Sequence, residues 1–442
     1  MKRVWTPGNL LAFLTFTLTA NGFLWIREHL ASLFAIVPLL LAAHLFVGVW
    51  QVKTKYTRLR ICCHGGVMLC LFVAATAVSL VWQGALALWL IPQNWLDWLW
   101  SALFCIGLMA LVFWNGMLSV YVASWQLGWH HRVVGALCGM IPVLNLILLR
   151  RIIRIVLDEV EVETARERLN DSRRGEALCR TKYPLLLVHG VFFRDTKYFS
   201  YWGRIPRDLK ENGATVYYGQ QPSAASVADC AAALTARIQA IVAETGCEKV
   251  NVIAHSKGGL DCRCAMATLD AAPYIASLTT VNTPHRGCLF ADHLLDMVPE
   301  SAKNRIAATY NATLRRLGER EADFLAAVED LTAEACERTD KEWGVPEGVF
   351  CQSIGSQLKE ASSGQFPLNL SYHLARHFSG PNDGLVSESS FAFGERYRLL
   401  TAKGDRGISH GDMIDLNREN IPGFDVREFY VELVHELKER GL

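Results

Sequence analysis

The sequence predicts a chain in two parts: an all-α transmembrane region, then an α/β domain with a mostly parallel sheet and helices on both faces. Three observations carry this. Charged residues are scarce before residue 150 and return after it. Eleven of the 13 tryptophans precede residue 130, and Trp concentrates at membrane interfaces because its ring is apolar and its N–H wants water. From residue 183 onward, short apolar runs alternate with stretches of helical spacing, as βα units do. A chain of 442 residues is long for one domain. Its 44 basic and 43 acidic residues leave no basic excess, so no nucleic-acid partner is expected. The 13 cysteines are scattered; Cys62 and Cys63 are adjacent, and Cys262 and Cys264 stand too close for a zinc pair. Free thiols are expected, which favours a reducing compartment.

The first part is read from its uncharged runs: 4–26, 31–52, 61–94, 98–131 and 133–149. A spanning helix needs about 20 mostly apolar residues. Four spans are therefore expected, centred near 9–26, 31–50, 65–84 and 99–123, with 133–149 a shorter fifth segment carrying Pro142 and Asn145. No small-residue cleavage site follows the first run, so no cleavable signal is expected. Basic loops set orientation. Lys2, Arg3, Lys53, Lys55, Arg58 and Arg60, then Arg150, Arg151 and Arg154, belong on the cytoplasmic side, and the uncharged 85–96 loop faces outward. Asp, Glu and Lys are absent inside the runs, which argues for an anchor over an ion pathway. Residues 1–149 thus form a transmembrane region of four to five helices. Residues 150–180 are expected to form an Arg/Glu-rich amphipathic linker, and 181–442 a second domain on the cytoplasmic side of the membrane.

In the second part, strands are expected at 183–188, 214–218, 249–254, 277–282, 349–354 and 397–401. Helices are expected at 225–244, 257–269 and 425–440. The third strand ends in Ala254-His255-Ser256-Lys257-Gly258, directly before a helix. A serine in a sharp strand-to-helix turn, with small residues two before and two after, matches the nucleophile elbow; Ala254 stands where glycine is usual. The helix N-terminus then favours negative charge developing near the serine. A tetrahedral oxyanion needs two backbone N–H donors. Lys257, after the serine, offers one; Val191, after the strand that ends in His189-Gly190, offers the other. An acid and a histidine should follow in that order. Asp383 in "GPNDGLVS" and His410 in "RGISHGDMID" do so, each after a strand. Ser256 would attack an acyl carbonyl, His410 would carry the proton, and Asp383 would orient the imidazole.

At these residues the chain resembles the bacterial triacylglycerol lipases of the α/β-hydrolase superfamily. The likeness rests on "VHG" at 188–190, the "AHSKG" elbow, "PHRG" at 284–287 and "NDG" at 382–384, and covers about 183–440. It implies the α/β-hydrolase fold, lipase or carboxylesterase activity on acyl-lipid esters, and no required cofactor. It also implies a structural calcium near the catalytic histidine loop, for which Asp412 and Asn417 are candidate ligands. The second acidic ligand has no counterpart, since 361–366 reads "ASSGQF". A helix-patterned insertion at about 289–345 is a candidate cap or lid. Phe192, Phe193, Leu289 and Phe290 are candidate acyl-pocket residues. Two other functions compete: an acyltransferase or thioesterase using the same triad, and a non-enzymatic membrane scaffold or transporter with a hydrolase-like domain.

Overall fold

The computed structural model describes residues 4–138, 144–191, 200–288, 291–292, 295, 299–316, 322–360, 372, 376, 380–404 and 406–442. It divides into two compact units, Met1–Leu169 and Asn170–Leu442.

The first unit is helical. The first uncharged run forms Pro7–Asn21, opened by Thr6 as N-cap and stopped at Gly22. The second forms Leu33–Phe46. Both are shorter than the about 20 residues a span needs. The next two runs form Thr57–Ala123, one assigned helix whose backbone breaks only at Asn94 (φ −155°, ψ 90°) beside Pro92. The expected outward loop at 85–96 is thus corrected: helix continues to residue 93. Proline removes a helical hydrogen bond there and Asn94 leaves the helical region, so the chain reverses within a few residues. The two limbs, 57–93 and 95–123, lie antiparallel. Gly65 meets Gly116, where a Cβ on Gly65 would stand 2.9 Å from the Gly116 carbonyl oxygen. Near the turn, Gln83 Nε2 donates to Ser101 Oγ at 3.2 Å. Small residues at the crossing and polar ties across it are how apolar helices associate without a hydrophobic drive between them. Among the described residues this is the one helix long and apolar enough to cross a membrane. The fifth run contributes to Gly128–Cys138 and to Leu144–Ser172; the latter runs through much of the expected linker as one helix.

The second unit holds a six-stranded sheet: β1 (Leu185–Val188), β2 (Val216–Tyr218), β3 (Val250–His255), β4 (Ile275–Val281), β5 (Phe350–Ser356) and β6 (Arg396–Leu400). The order is β2-β1-β3-β4-β5-β6, and every pair is parallel. This is the α/β-hydrolase fold the sequence predicts. Parallel pairing needs a crossover between strands, and the helices Val227–Thr245, Lys257–Thr268 and Val426–Glu439 fall near where helical spacing places them. Side chains alternate across the sheet. Leu186, Val188, Val252 and Ala254 join one hydrophobic cluster, which the first two of these helices cover. Leu185, Leu187, Ile253 and Val281 join the other, under Val426–Glu439. The insertion is helical where described, at Glu300–Arg316, Phe324–Glu329 and Ala333–Glu342; Phe324, Ala327, Val328 and Cys336 are part of the first cluster. No disulfide forms among the described cysteines.

The chain leaves β1 for β2 on one side and returns to β3 on the other. The carboxyl ends of β1 and β3 therefore flank the point where strand order reverses, the crevice where open α/β sheets bind ligands.

Candidate active site

Ser256 follows β3 at φ 54°, ψ −132°, in a region that L-residues with a Cβ rarely occupy. A residue held there costs on the order of 1–3 kcal/mol and persists only where its surroundings over-determine it. Here they do. The Ser256 amide donates to the Val281 carbonyl at 2.9 Å, and its own carbonyl accepts from Gly259 N at 3.0 Å. A Cβ on Gly258 would stand 2.4 Å from the His189 carbonyl oxygen, so only glycine lets the helix start so close to the end of β1.

The loop after β1 faces the serine. A Cβ on Gly190 would meet the Ser256 Cβ at 2.8 Å. His189 is buried, with its ring nitrogens 2.8 Å from the Gly190 carbonyl and 3.1 Å from the Gln221 carbonyl, so it braces the turn. Val191 follows, 8% exposed. The Lys257 amide opens a helix, where the first N–H groups lack partners within the helix.

Asp383 and His410 meet although 27 residues separate them in sequence. His410 Nδ1 lies 2.6 Å from Asp383 Oδ2. Every lone-pair site of this fully buried carboxylate is engaged. Oδ2 also accepts from Asn282 Nδ2 at 2.7 Å, and Oδ1 accepts from the amides of Leu385 and Val386 at 2.9 and 2.7 Å. A carboxylate only accepts, so Nδ1 carries the hydrogen and Nε2 is left as the basic nitrogen. The His410 amide donates back to the Asp383 carbonyl at 2.9 Å. His410 comes beside the elbow through His255: its carbonyl lies 3.2 Å from His255 Nε2, and the two rings are 4.5 Å apart. Among the described residues Ser256 Oγ has no hydrogen bond, and such contacts often tighten only with substrate bound.

Lys257 turns its side chain away from the serine. Its Nζ donates to Asp261 Oδ1 at 2.7 Å and contacts Cys230 Sγ at 3.3 Å, with Lys257 and Asp261 both 2% exposed. Burial pushes the Asp261 carboxyl up to about 6, against the pull of Lys257.

Of the two candidate calcium ligands, Asp412 is otherwise occupied. Asp412 Oδ2 accepts from Arg406 at 2.8 Å and from the Ser409 amide at 2.8 Å, so a guanidinium supplies the positive charge. Asn417 is exposed in a turn. Among the described residues no three His, Cys, Asp or Glu side chains are grouped to hold a metal. Phe192, Phe193, Leu289 and Phe290 lie outside the described residues.

Sequence reasoning missed three residues of the site: His255, Asn282 and Tyr201. The signal for His255 was its place inside the elbow. For Asn282 it was an asparagine just past a strand, where its positive φ of 48° is tolerated. Tyr201 had none.

No family model matches the chain. It is 28% identical to a triacylglycerol lipase of Vibrio cholerae, over 60% of this chain and 91% of that one. It is also 28% identical to a triacylglycerol lipase of Pseudomonas fragi, over 59% of this chain and 98% of that one. Among solved structures, a mature lipase of Bacillus licheniformis shares 21% identity, covers 57% of this chain and 92% of that one, and superposes with a TM-score of 0.43. The sheet topology and the similarity to several triacylglycerol lipases make the chain a hydrolase of the α/β-hydrolase fold.

Proposed function

We propose that the protein is a membrane-anchored serine ester hydrolase, a lipase or carboxylesterase acting on acyl lipids through an acyl-enzyme. Ser256 Oγ attacks the ester carbonyl while His410 Nε2 takes its proton. Asp383 holds the imidazole in the required tautomer and balances the imidazolium. The amides of Val191 and Lys257 stabilise the tetrahedral oxyanion. His410 returns the proton to the departing alcohol, and water then releases the acid by the same steps. The single observation that carries the reading is the 2.6 Å Asp383–His410 pair held beside a strained elbow serine. None of these steps calls for a metal or cofactor.

The membrane half of the proposal is supported by the surface of the first unit. Phe34, Leu80, Val81, Leu88, Ile106 and Val122 are each at least 65% exposed, on helices that carry almost no charge. Soluble monomers rarely expose large apolar patches to water. Both limbs of the hairpin exceed the about 20 residues needed to cross a bilayer. We assign the hydrolase unit to the cytoplasmic side, from the basic residues at 53–60 and 150–154.

The test is labelling of the full-length protein in its membranes with a fluorescent alkyl phosphonate. The wild type should label and Ser256→Ala should not. Equal labelling of both, or none of either with detergent present, rejects the serine mechanism.

A further inference from the structure

The elbow serine is preceded by a histidine that the mechanism above does not use. His255 is 0% exposed and ends β3. Its Nε2 lies 3.2 Å from the His410 carbonyl oxygen, and its Nδ1 lies 2.8 Å from the Tyr201 hydroxyl. We infer that His255 is a positioning residue for His410: a neutral imidazole whose Nδ1 accepts a hydrogen bond from the Tyr201 hydroxyl and whose Nε2 donates to the His410 carbonyl. The inference rests on the serine-hydrolase reading of the same site.

The tautomer follows from the partners. A carbonyl only accepts, so Nε2 must carry the hydrogen. Nδ1 is then bare and needs a donor, which the phenol provides. Full burial and the neighbouring His410 hold the imidazole uncharged, well below its ordinary titration range.

The position gives the bond its consequence. His410 is tied at three points. Asp383 holds its Nδ1 through a carboxylate oxygen and its amide through a carbonyl, at 2.6 and 2.9 Å. Both ties come from the acid loop. The third, on the His410 carbonyl, comes from the residue bonded to Ser256. Nucleophile and base are thereby referenced to one strand end, across 155 residues of sequence. Tyr201 extends the link to the oxyanion loop, since a Cβ on Gly190 would stand 2.8 Å from its hydroxyl. Trp202 backs the arrangement, with its ring 6.3 Å from that of His255 and 5.9 Å from that of Tyr430.

The experiment uses the full-length protein in detergent micelles, with p-nitrophenyl butyrate hydrolysis and phosphonate labelling as readouts. His255→Leu keeps the bulk but removes the ring nitrogens that contact the His410 carbonyl and the Tyr201 hydroxyl. It should lower kcat and the labelling rate together, by about 10- to 100-fold, while KM moves little, because a base displaced by a fraction of an ångström loses its alignment. The acid limb of the kcat/KM profile, which reports His410, should shift as well. His255→Gln restores a donor and an acceptor, and should return kcat to within about fivefold of wild type. A folded His255→Leu with wild-type kcat, labelling rate and acid limb overturns the inference. So does a folded His255→Gln as impaired as the leucine variant. If His255→Leu does not fold, Tyr201→Phe decides: it removes the Nδ1 partner and should cost several-fold in kcat with KM unchanged, and an unchanged kcat overturns the inference. Failure of the wild type itself to label, or labelling of Ser256→Ala, would instead reject the hydrolase reading.

Discussion

At the scale of single residues, two fully buried histidines of the second unit, His255 and His285, are linked to pH. Burial, with His410 beside His255 and Arg263 beside His285, lowers both imidazoles well below their ordinary 6.5. The folded chain therefore leaves them uncharged where the unfolded chain takes up a proton on each. Stability is fully present above pH 6.5 and falls as pH drops below it, by up to about 1.4 kcal/mol per pH unit for each histidine. Thermal melts from pH 7.5 to 5 should show this, and His255→Gln, which cannot titrate, should show a shallower fall than the wild type. Equal slopes would mean that His255 is already protonated in the fold. The same residues mark the limit of what sequence discloses. Ser256, Asp383 and His410 were legible because each sits in a local turn signature after an apolar run. Asn282 and Tyr201 were not, because their meaning lies in what other strands bring to them: Asn282 Nδ2 bridges Ser356 on β5 and Asp383 in the acid loop, at 2.7 Å each.

At the scale of elements, the helix Lys257–Thr268 carries its own brace. Lys257 and Asp261 stand one turn apart, both buried, with their carboxylate–ammonium contact facing the core instead of the site. Removing one partner strands a buried charge, at about 3–5 kcal/mol, whereas replacing both with apolar residues of similar volume is often close to neutral. Lys257→Met and Asp261→Leu should each lower the denaturation midpoint strongly, and the double variant should recover most of the loss. Additive losses would show that the pair does not act as a unit. The sheet was readable element by element, with boundaries within about two residues, because each strand is a short apolar run bounded by turn residues. The helical hairpin was harder to read. The residues 85–93 are as apolar as the helix they prolong, and a reversal made by Pro92 and Asn94 leaves almost no polar stretch to mark it.

At the scale of the whole molecule, composition separates an apolar helical unit from an ordinarily charged α/β unit, and the structure divides after Leu169. The exposed leucines, tryptophans and valines of the first unit should hold the protein in bilayers. After an alkaline carbonate wash it should remain in the membrane pellet, and mild detergent should release it. Recovery in the wash supernatant would reduce the first unit to a peripheral attachment. The order of the site along the chain has a further consequence. Its pieces arrive at 190, 256, 383 and 410, and the sheet that aligns them closes with β6, packed beneath Val426–Glu439. Sheets with such distant pairings form only once all their strands are available. A ribosome making this chain delivers the apolar helices well before the base. The site would thus stay unassembled while the apolar helices are already made, and the proposed nucleophile and base would meet only after the strands between them have been synthesised.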